Sequence, residues 1–112
     1  MKIAIPIADG KLCMHFGHCE QFVIIDVDKN SKEIKKKDYL TPPPHEPGLY
    51  PKWLSLQGAE YIIAGGMGKR AQELFSDQNI NVITGATPGE PEKIVEDFLN
   101  NSLMTGDNTC DH

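Results

Sequence analysis

The sequence predicts one small α/β domain, in which a mixed sheet of about five strands carries helices on its faces. Its length of 112 residues fits a single hydrophobic core. The first half contains apolar runs joined by a turn, which is typical of an antiparallel hairpin. The second half alternates short apolar runs with amphipathic segments, which is typical of strand–helix–strand–helix order.

In the first half, residues 2–7 and 21–27 are apolar runs that predict strands. Asp9 and Gly10 end the first strand as a turn pair. A second turn leads from residues 21–27 into a returning strand at residues 32–40. The second and third strands are therefore expected to pair antiparallel.

A proline-rich loop separates the two halves. Residues 41–51 hold five of the eight prolines, and because proline lacks an N–H donor and fixes φ, an extended loop is predicted. A short helix at residues 49–57 follows, with Trp53, Leu54 and Leu56 available for burial.

The second half predicts two further strands, at residues 61–64 and 80–84, each followed by a helix. Residues 87–90 have the spacing of a capping box for the last helix. Periodicity ends after Asn100, so the domain is predicted to span residues 1–100 and residues 101–112 to form a flexible tail. The apolar faces of the two helices consist of Ala71, Leu74 and Phe75 in the first and of Ile94, Val95, Phe98 and Leu99 in the second.

Charge and composition exclude several classes of protein. The net charge of −5 argues against a nucleic-acid partner, because phosphate neutralisation needs clustered Lys and Arg. The one basic run, at residues 35–37, fits a solvated sheet edge. No secretory signal and no membrane-length apolar run is seen, so a cytoplasmic protein without a membrane partner is expected. Neither a nucleophile elbow nor a phosphate-binding P-loop is present, and no group of acids suits a two-metal nuclease.

The densest chemical signal lies in the irregular segment 11–19. Within seven residues it contains Cys13, His15, His18 and Cys19. Thiolate and imidazole are ligands for zinc, copper(I), iron and iron–sulfur clusters. In an extended chain Cys13 and His15 project to the same side, and Gly17 allows a turn that brings the others near. We therefore predict these four residues as metal ligands, against the alternative that each is an ordinary core or surface residue.

Two more segments are candidates. Cys110 and His112 end the tail and can supply further metal ligands, or their presence there is accidental. The turn Gly65-Gly66-Met67-Gly68 joins a strand to a helix, and with Ala71 it satisfies the looser dinucleotide fingerprint G-x-G-x-x-A. The next strand lacks the acidic residue that a ribose needs. The turn is thus either a close-packing element or a contact for an anionic ligand such as a metal–sulfide cluster.

These motifs together resemble the dinitrogenase iron–molybdenum cofactor biosynthesis family, the nitrogenase-accessory-like carriers. The resemblance covers nearly the whole chain. It rests on the strand ending in Pro6, the His15-Phe16-Gly17 loop, the Phe22 strand, the Tyr61-to-Ala71 segment with its glycine turn, and the Cys110-x-His112 ending. The His-Phe-Gly loop and the glycine turn, in this order, are specific to the family. Neither motif is distinctive alone.

The resemblance implies a ribonuclease H-like three-layer fold without nuclease activity. It also implies a non-enzymatic carrier that binds a metal–sulfur cluster or its precursor, of iron–molybdenum, iron–sulfur or molybdenum/copper-sulfide type. The expected partners are proteins that donate and accept the cluster, and the chain is expected as a monomer or a cluster-bridged dimer. His15, Cys110 and His112 match the family pattern. The sequence departs from it at His18 and Cys19, whose predicted role, like that of Cys13, rests on ligand chemistry.

Two other functions remain as alternatives. One is a thiol-redox or metal-dependent enzyme in which His15 or His18 activates Cys19. The absence of C-x-x-C and of a residue that would orient the histidine counts against it. The other is an interaction module without metal that uses the glycine turn and the proline loop, with Pro43 and Trp53 as contacts.

Overall fold

The structure is a computed structural model that describes residues 1–13, 20–43, 49–86 and 89–100. Within these ranges the first half is mostly strand and the second half alternates strand and helix, as the sequence predicts. In chain order the elements are β1 (Lys2–Ala8), β2 (Lys11–Leu12), β3 (Gln21–Val27), β4 (Ile34–Leu40), α1 (Leu49–Leu56), β5 (Tyr61–Ile63), α2 (Lys69–Asp77), β6 (Asn81–Ile83) and α3 (Pro91–Leu99).

In the described part of the chain the strands form one mixed sheet of six. Its order is β4-β3-β1-β5-β6, with the short β2 added to β1. β1, β3 and β4 are antiparallel neighbours, whereas β5 and β6 run parallel to β1. This arrangement confirms the predicted mixed sheet and the ribonuclease H-like fold. The sixth strand was not predicted, because β2 is only two residues long and lies in the segment expected to be irregular.

The sheet is covered on both faces, which gives the three layers. β1 alternates between the two faces, because successive side chains in a strand point to opposite sides. Ala4 faces a cluster that includes Tyr50 and Leu54 of α1 and Phe75 of α2. On the other face of the sheet, Ile94 and Val95 of α3 pack against core residues of the strands, which include Ile3, Ile5, Val23 and Ile63.

Helix α1 differs from the prediction at one expected core residue, Leu56. Tyr50 and Leu54 are buried and lie one turn apart, and the half-buried Trp53 packs against the same cluster. Leu56 is 84% exposed. The prediction that Leu56 is available for the core is wrong, because two residues beyond Leu54 rotates a helical side chain to about the opposite face.

The start of α3 also differs from the prediction. The helix begins at Pro91 with Glu90 as its N-cap, and Glu90 makes no side-chain capping bond. A capping box over residues 87–90 would have placed Glu90 three residues inside the helix, so that prediction is wrong. Proline is favoured at the first helical position, because its fixed φ suits the helix and its missing N–H is not needed there.

The lysine run lies on β4, which is an edge strand of the sheet as predicted. Lys35, Lys36 and Lys37 are exposed. Lys37 forms an ion pair with Glu92 of α3, and the hydrogen bond from its ammonium to that carboxylate raises the pKa of Lys37.

In the described ranges no helix combines the length and apolar character that a membrane crossing requires.

The β1–β2 hairpin closes through a two-residue turn with positive φ at both positions, 55° at Asp9 and 78° at Gly10. This conformation matches the type I′ turn, in which the first position accepts Asp and the second prefers Gly. The turn pair predicted from the sequence is confirmed.

We expect Gly10→Ala to lower the free energy of unfolding by about 1–2 kcal/mol, because a left-handed backbone is unfavourable for a residue with a Cβ. A Cβ at Gly10 would meet no atom within 4 Å, so crowding does not contribute. Gly89 is the matched control, since its surroundings are equally open and its φ lies outside the left-handed region. Urea unfolding should show Gly89→Ala unchanged or up to about 1 kcal/mol more stable. Equal losses in both variants would contradict the conformational explanation.

Candidate functional site

The parallel strands β1, β5 and β6 end at one edge of the sheet, which we call the carboxyl edge. Beyond this edge, β5 leads to α2 on one face and β6 leads to α3 on the other. In open α/β sheets, ligands bind outside the carboxyl ends of strands where the connections diverge in this way. The carboxyl edge is therefore where this fold favours a ligand.

Strand β2 occupies part of this edge. β1 pairs with β5 only at Ile3 and Ala4. Further along β1, Ile7 pairs with Gln21 of β3 and also with Leu12 of β2. Since β3 pairs with one side of β1, β2 must lie on the other side. This is the side on which β5 pairs with Ile3 and Ala4, nearer the start of β1. The Leu12 N–H donates to the Gly89 carbonyl at 2.9 Å, which ties β2 to the segment before α3.

Cys13 and Glu20 flank the segment that carries most of the predicted ligands. The Cys13 N–H donates to the Pro6 carbonyl and the Glu20 N–H donates to the Ile7 carbonyl, each at 2.9 Å. Consecutive carbonyls of a strand point to opposite sides in the plane of the sheet. The chain thus leaves one side of β1 at Cys13 and returns on the other side at Glu20, next to the carboxyl edge.

The two flanking side chains differ in exposure. Cys13 is only 7% exposed, so its thiol lies among core residues. Glu20 is exposed, and its carboxylate accepts a hydrogen bond from the Asp9 N–H at 2.8 Å. This bond links the end of the flanked segment to the β1–β2 turn. His15, His18 and Cys19 lie between the two flanking residues and outside the described residues.

The glycine turn lies at the same edge, between β5 and α2 as predicted. Gly65 and Gly66 are buried, and Gly68 is the N-cap of α2. The Gly65 carbonyl accepts a 2.7 Å hydrogen bond from the N–H of Gly85, which follows β6. Gly85 has a φ of 81°, which favours glycine. The loops after β5 and β6 are therefore held together by their backbones.

Met67 has a different environment from the glycines that flank it. Its side chain is 1% exposed and belongs to the core cluster on the α1 and α2 face. Its carbonyl accepts a 2.9 Å hydrogen bond from Nε2 of Gln72. Met67 thus anchors the turn to the core.

The structure brings Cys13 and the glycine turn to one edge of the sheet, while Cys110 and His112 lie outside the described residues. Across residues 1–13, 20–43, 49–86 and 89–100, no three His, Cys, Asp or Glu side chains are grouped to hold a metal ion. All four histidines fall outside those ranges. The predicted set of metal ligands therefore stays a prediction from the sequence.

Sequence reasoning did not identify the contacts of Glu20 and Gly85. Glu20 belongs to no acidic cluster or motif in the sequence, and its bond to Asp9 follows from the unpredicted β2 hairpin. Gly85 carried a signal that could have been used, because a glycine directly after a strand and before a helix marks a turn with special backbone requirements.

Comparison with known proteins decides the family. The family model described as dinitrogenase iron-molybdenum cofactor matches residues 1–101. The chain belongs to the dinitrogenase iron–molybdenum cofactor family. Membership confirms the resemblance expected from the His-Phe-Gly loop and the glycine turn, and it associates the chain with a metallocluster of the iron–molybdenum cofactor kind.

Relatives of this family member are of similar length. An uncharacterised protein of Methanocaldococcus jannaschii is 33% identical over 100 residues, which covers 84% of this chain and 82% of the relative. The crystal structure of PH0822 has a TM-score of 0.85 at 28% identity and covers 95% of this chain and 96% of its own. The apo form of the orange protein from Desulfovibrio gigas has a TM-score of 0.69 at 22% identity, with coverage of 96% and 93%, and shares the fold.

Proposed function

We propose that this family member is a non-enzymatic carrier that holds a metal–sulfur cluster, or its precursor, between a donor and an acceptor protein. The observation that carries the proposal is the anchoring of Cys13 and Glu20 to Pro6 and Ile7. This anchoring places the two residues that flank the segment richest in soft ligands beside the carboxyl edge, where the glycine turn also lies. Family membership supports a cluster as the cargo.

The ligand chemistry supports the same cargo. His15, His18 and Cys19 offer imidazole and thiolate groups, and Cys13 stands at the base of their segment. These groups suit iron, copper(I) and metal–sulfide clusters better than magnesium or calcium. Cysteine must lose its proton to ligate a metal, so loading should release protons.

The start of α2 would complement an anionic cargo. Gly68 caps this helix, and its first two residues, Lys69 and Arg70, are exposed and positively charged. A helix N-terminus presents backbone N–H groups and a partial positive charge, which favour anions. A cluster with net negative charge would therefore be favoured next to the glycine turn.

The residue pattern favours a carrier over a thiol enzyme. The sequence contains no C-x-x-C and offers no third residue that would orient His15 or His18 toward Cys19. Ligands supplied by a loop and a tail suit a cargo that is bound and later released. The thiol enzyme is thus the weaker alternative.

Anaerobic loading with iron, sulfide and molybdate, or with copper and sulfide, tests the proposal. We expect bound metal by elemental analysis and a charge-transfer absorption band. A variant combining His15→Ala, Cys19→Ala and Cys110→Ala should lose both signals, because it removes three of the predicted ligands. His45→Ala, which changes a histidine of the proline loop, is the control and should load like the parent. Equal metal uptake by the triple variant and the parent would refute the carrier function.

A further inference from the structure

We propose that β6 is the contact strand of a homodimer, in which two copies of this chain join their sheets edge to edge about a two-fold axis at Val82. The basis is the backbone of β6 together with the charges on the neighbouring helix α2. The proposal concerns the metal-free protein and stands independently of the carrier function.

The two ends of the sheet differ in their residues. In the described part of the chain β4 and β6 are the edge strands. β4 carries the exposed run Lys35-Lys36-Lys37, and lysines on an edge strand oppose its pairing with another chain. β6 consists of Asn81–Ile83 and has neither a charged residue nor a proline. Of the two edges, β6 is therefore the one suited to accept a further strand.

The backbone of β6 presents one residue to its open side. The Asn81 N–H donates to the Glu60 carbonyl at 2.9 Å, and the Ile83 carbonyl accepts from the Ala64 N–H at 2.9 Å. Asn81 and Ile83 therefore bond toward β5. Because adjacent residues of a strand direct their N–H and C=O groups to opposite sides, both groups of Val82 point away from β5. Two antiparallel copies of β6 can thus form two hydrogen bonds between Val82 and Val82 of the second copy.

Helix α2 borders the same open side. Gln72 and Ser76 of α2 line a groove of about 400 Å³ together with residues 79–82. The exposed charges along this face of α2 are basic at its start, at Lys69, and acidic at its end, at Asp77. The groove leaves room beside β6, and α2 places a row of charges above it.

These charges are complementary to themselves under the proposed symmetry. A two-fold axis perpendicular to the sheet keeps both α2 helices on one face and runs them in opposite directions. Lys69 of each copy then lies toward Asp77 of the other. Glu73, midway along α2, lies toward its own copy, and Arg70 offsets this repulsion because its guanidinium is 3.7 Å from the Glu73 carboxylate. Since β6 has only three residues, we expect a weak, reversible dimer.

Sedimentation velocity of the metal-free protein, with chelator and thiol reductant present, tests the pairing up to about 1 mM, because small interfaces associate weakly. The parent should shift from monomer to dimer as its concentration rises. Val82→Pro should stay monomeric, because it removes the N–H that faces the second copy. Proline is tolerated on an edge strand when that N–H faces solvent, so the fold is retained. Val82→Thr keeps the N–H and is the control, which should dimerise like the parent.

Charge reversal tests the two-fold arrangement itself. Lys69→Glu or Asp77→Lys alone should weaken the dimer about ten-fold, because each brings like charges together at two symmetric contacts. Each change also improves the charge at its end of α2, so a weakened helix cannot explain the loss. An equal mixture of the two single variants should associate like the parent, since each supplies the charge that the other lacks.

Several results would overturn the proposal. A parent that stays monomeric throughout the concentration range would do so, as would a dimer that Val82→Pro leaves intact, because its contact then lies elsewhere in the chain. A mixture of the charge variants that fails to associate contradicts the two-fold arrangement. A dimer that forms only after metal loading also refutes the contact through β6, while it leaves the carrier function in place.

Discussion

Phe22→Ala should lower the free energy of unfolding by about 3–5 kcal/mol, the usual cost of removing a fully buried aromatic ring. Phe22 is 0% exposed in the middle of the sheet. Its ring meets those of Tyr50 and Trp53 edge to face, with centroids 5.5 and 5.7 Å apart. Alanine would leave a cavity between β3 and α1. Because small domains are stable by only about 5–15 kcal/mol, this loss would bring the protein close to unfolding.

Urea unfolding followed by fluorescence measures this effect directly, because the chain has one tryptophan and it lies against Phe22. Tyr39→Ala is the matched control. Tyr39 pairs with Val23 on the neighbouring strand, but its side chain is 51% exposed at the sheet edge. We expect that variant to lose less than about 1 kcal/mol. Similar losses in the two variants would show that the core is not organised around Phe22.

Much of this core could be predicted from local pattern, because burial of β1, β3, β5 and α3 follows the spacing of apolar residues. Leu56 shows the limit of that approach. Its apolar character suggested burial, but its angle around α1 directs it away from the sheet, and it is 84% exposed. Burial of a residue on a helix therefore depends on its position around the helix axis as well as on its hydrophobicity.

The family was predictable from the sequence, but the hydrogen bonds near the predicted site were not. The residue types of the 13–19 segment and of the glycine turn indicated a metallocluster family before any fold was known. Two hydrogen bonds at the carboxyl edge, from Leu12 to Gly89 and from Gly85 to Gly65, link residues far apart in sequence. The first depends on β2, which has no strong local signal, and the second depends on the parallel pairing of β5 with β6.

Met67→Ala should lower the free energy of unfolding by about 2–5 kcal/mol, because it empties a core position. Met67 is 1% exposed in the cluster that contains Phe75 and Leu54. Met67→Leu is the matched control, since it keeps the volume and should cost less than about 1.5 kcal/mol. Urea unfolding of both variants measures the difference.

The same pair of variants separates a core residue from a ligand. Leucine replaces the thioether with a branched hydrocarbon, so a metal bound by the Met67 sulfur would be lost in Met67→Leu although the fold remained. The burial of Met67 leads us to expect that Met67→Leu loads metal like the parent. Under the proposed function Met67→Ala should load less, because loss of the core anchor would free the backbone of Gly66 and Gly68 to move away from a cargo bound at the turn. If Met67→Leu folds normally but fails to load, the sulfur is a ligand and the backbone is not the part of the turn that acts.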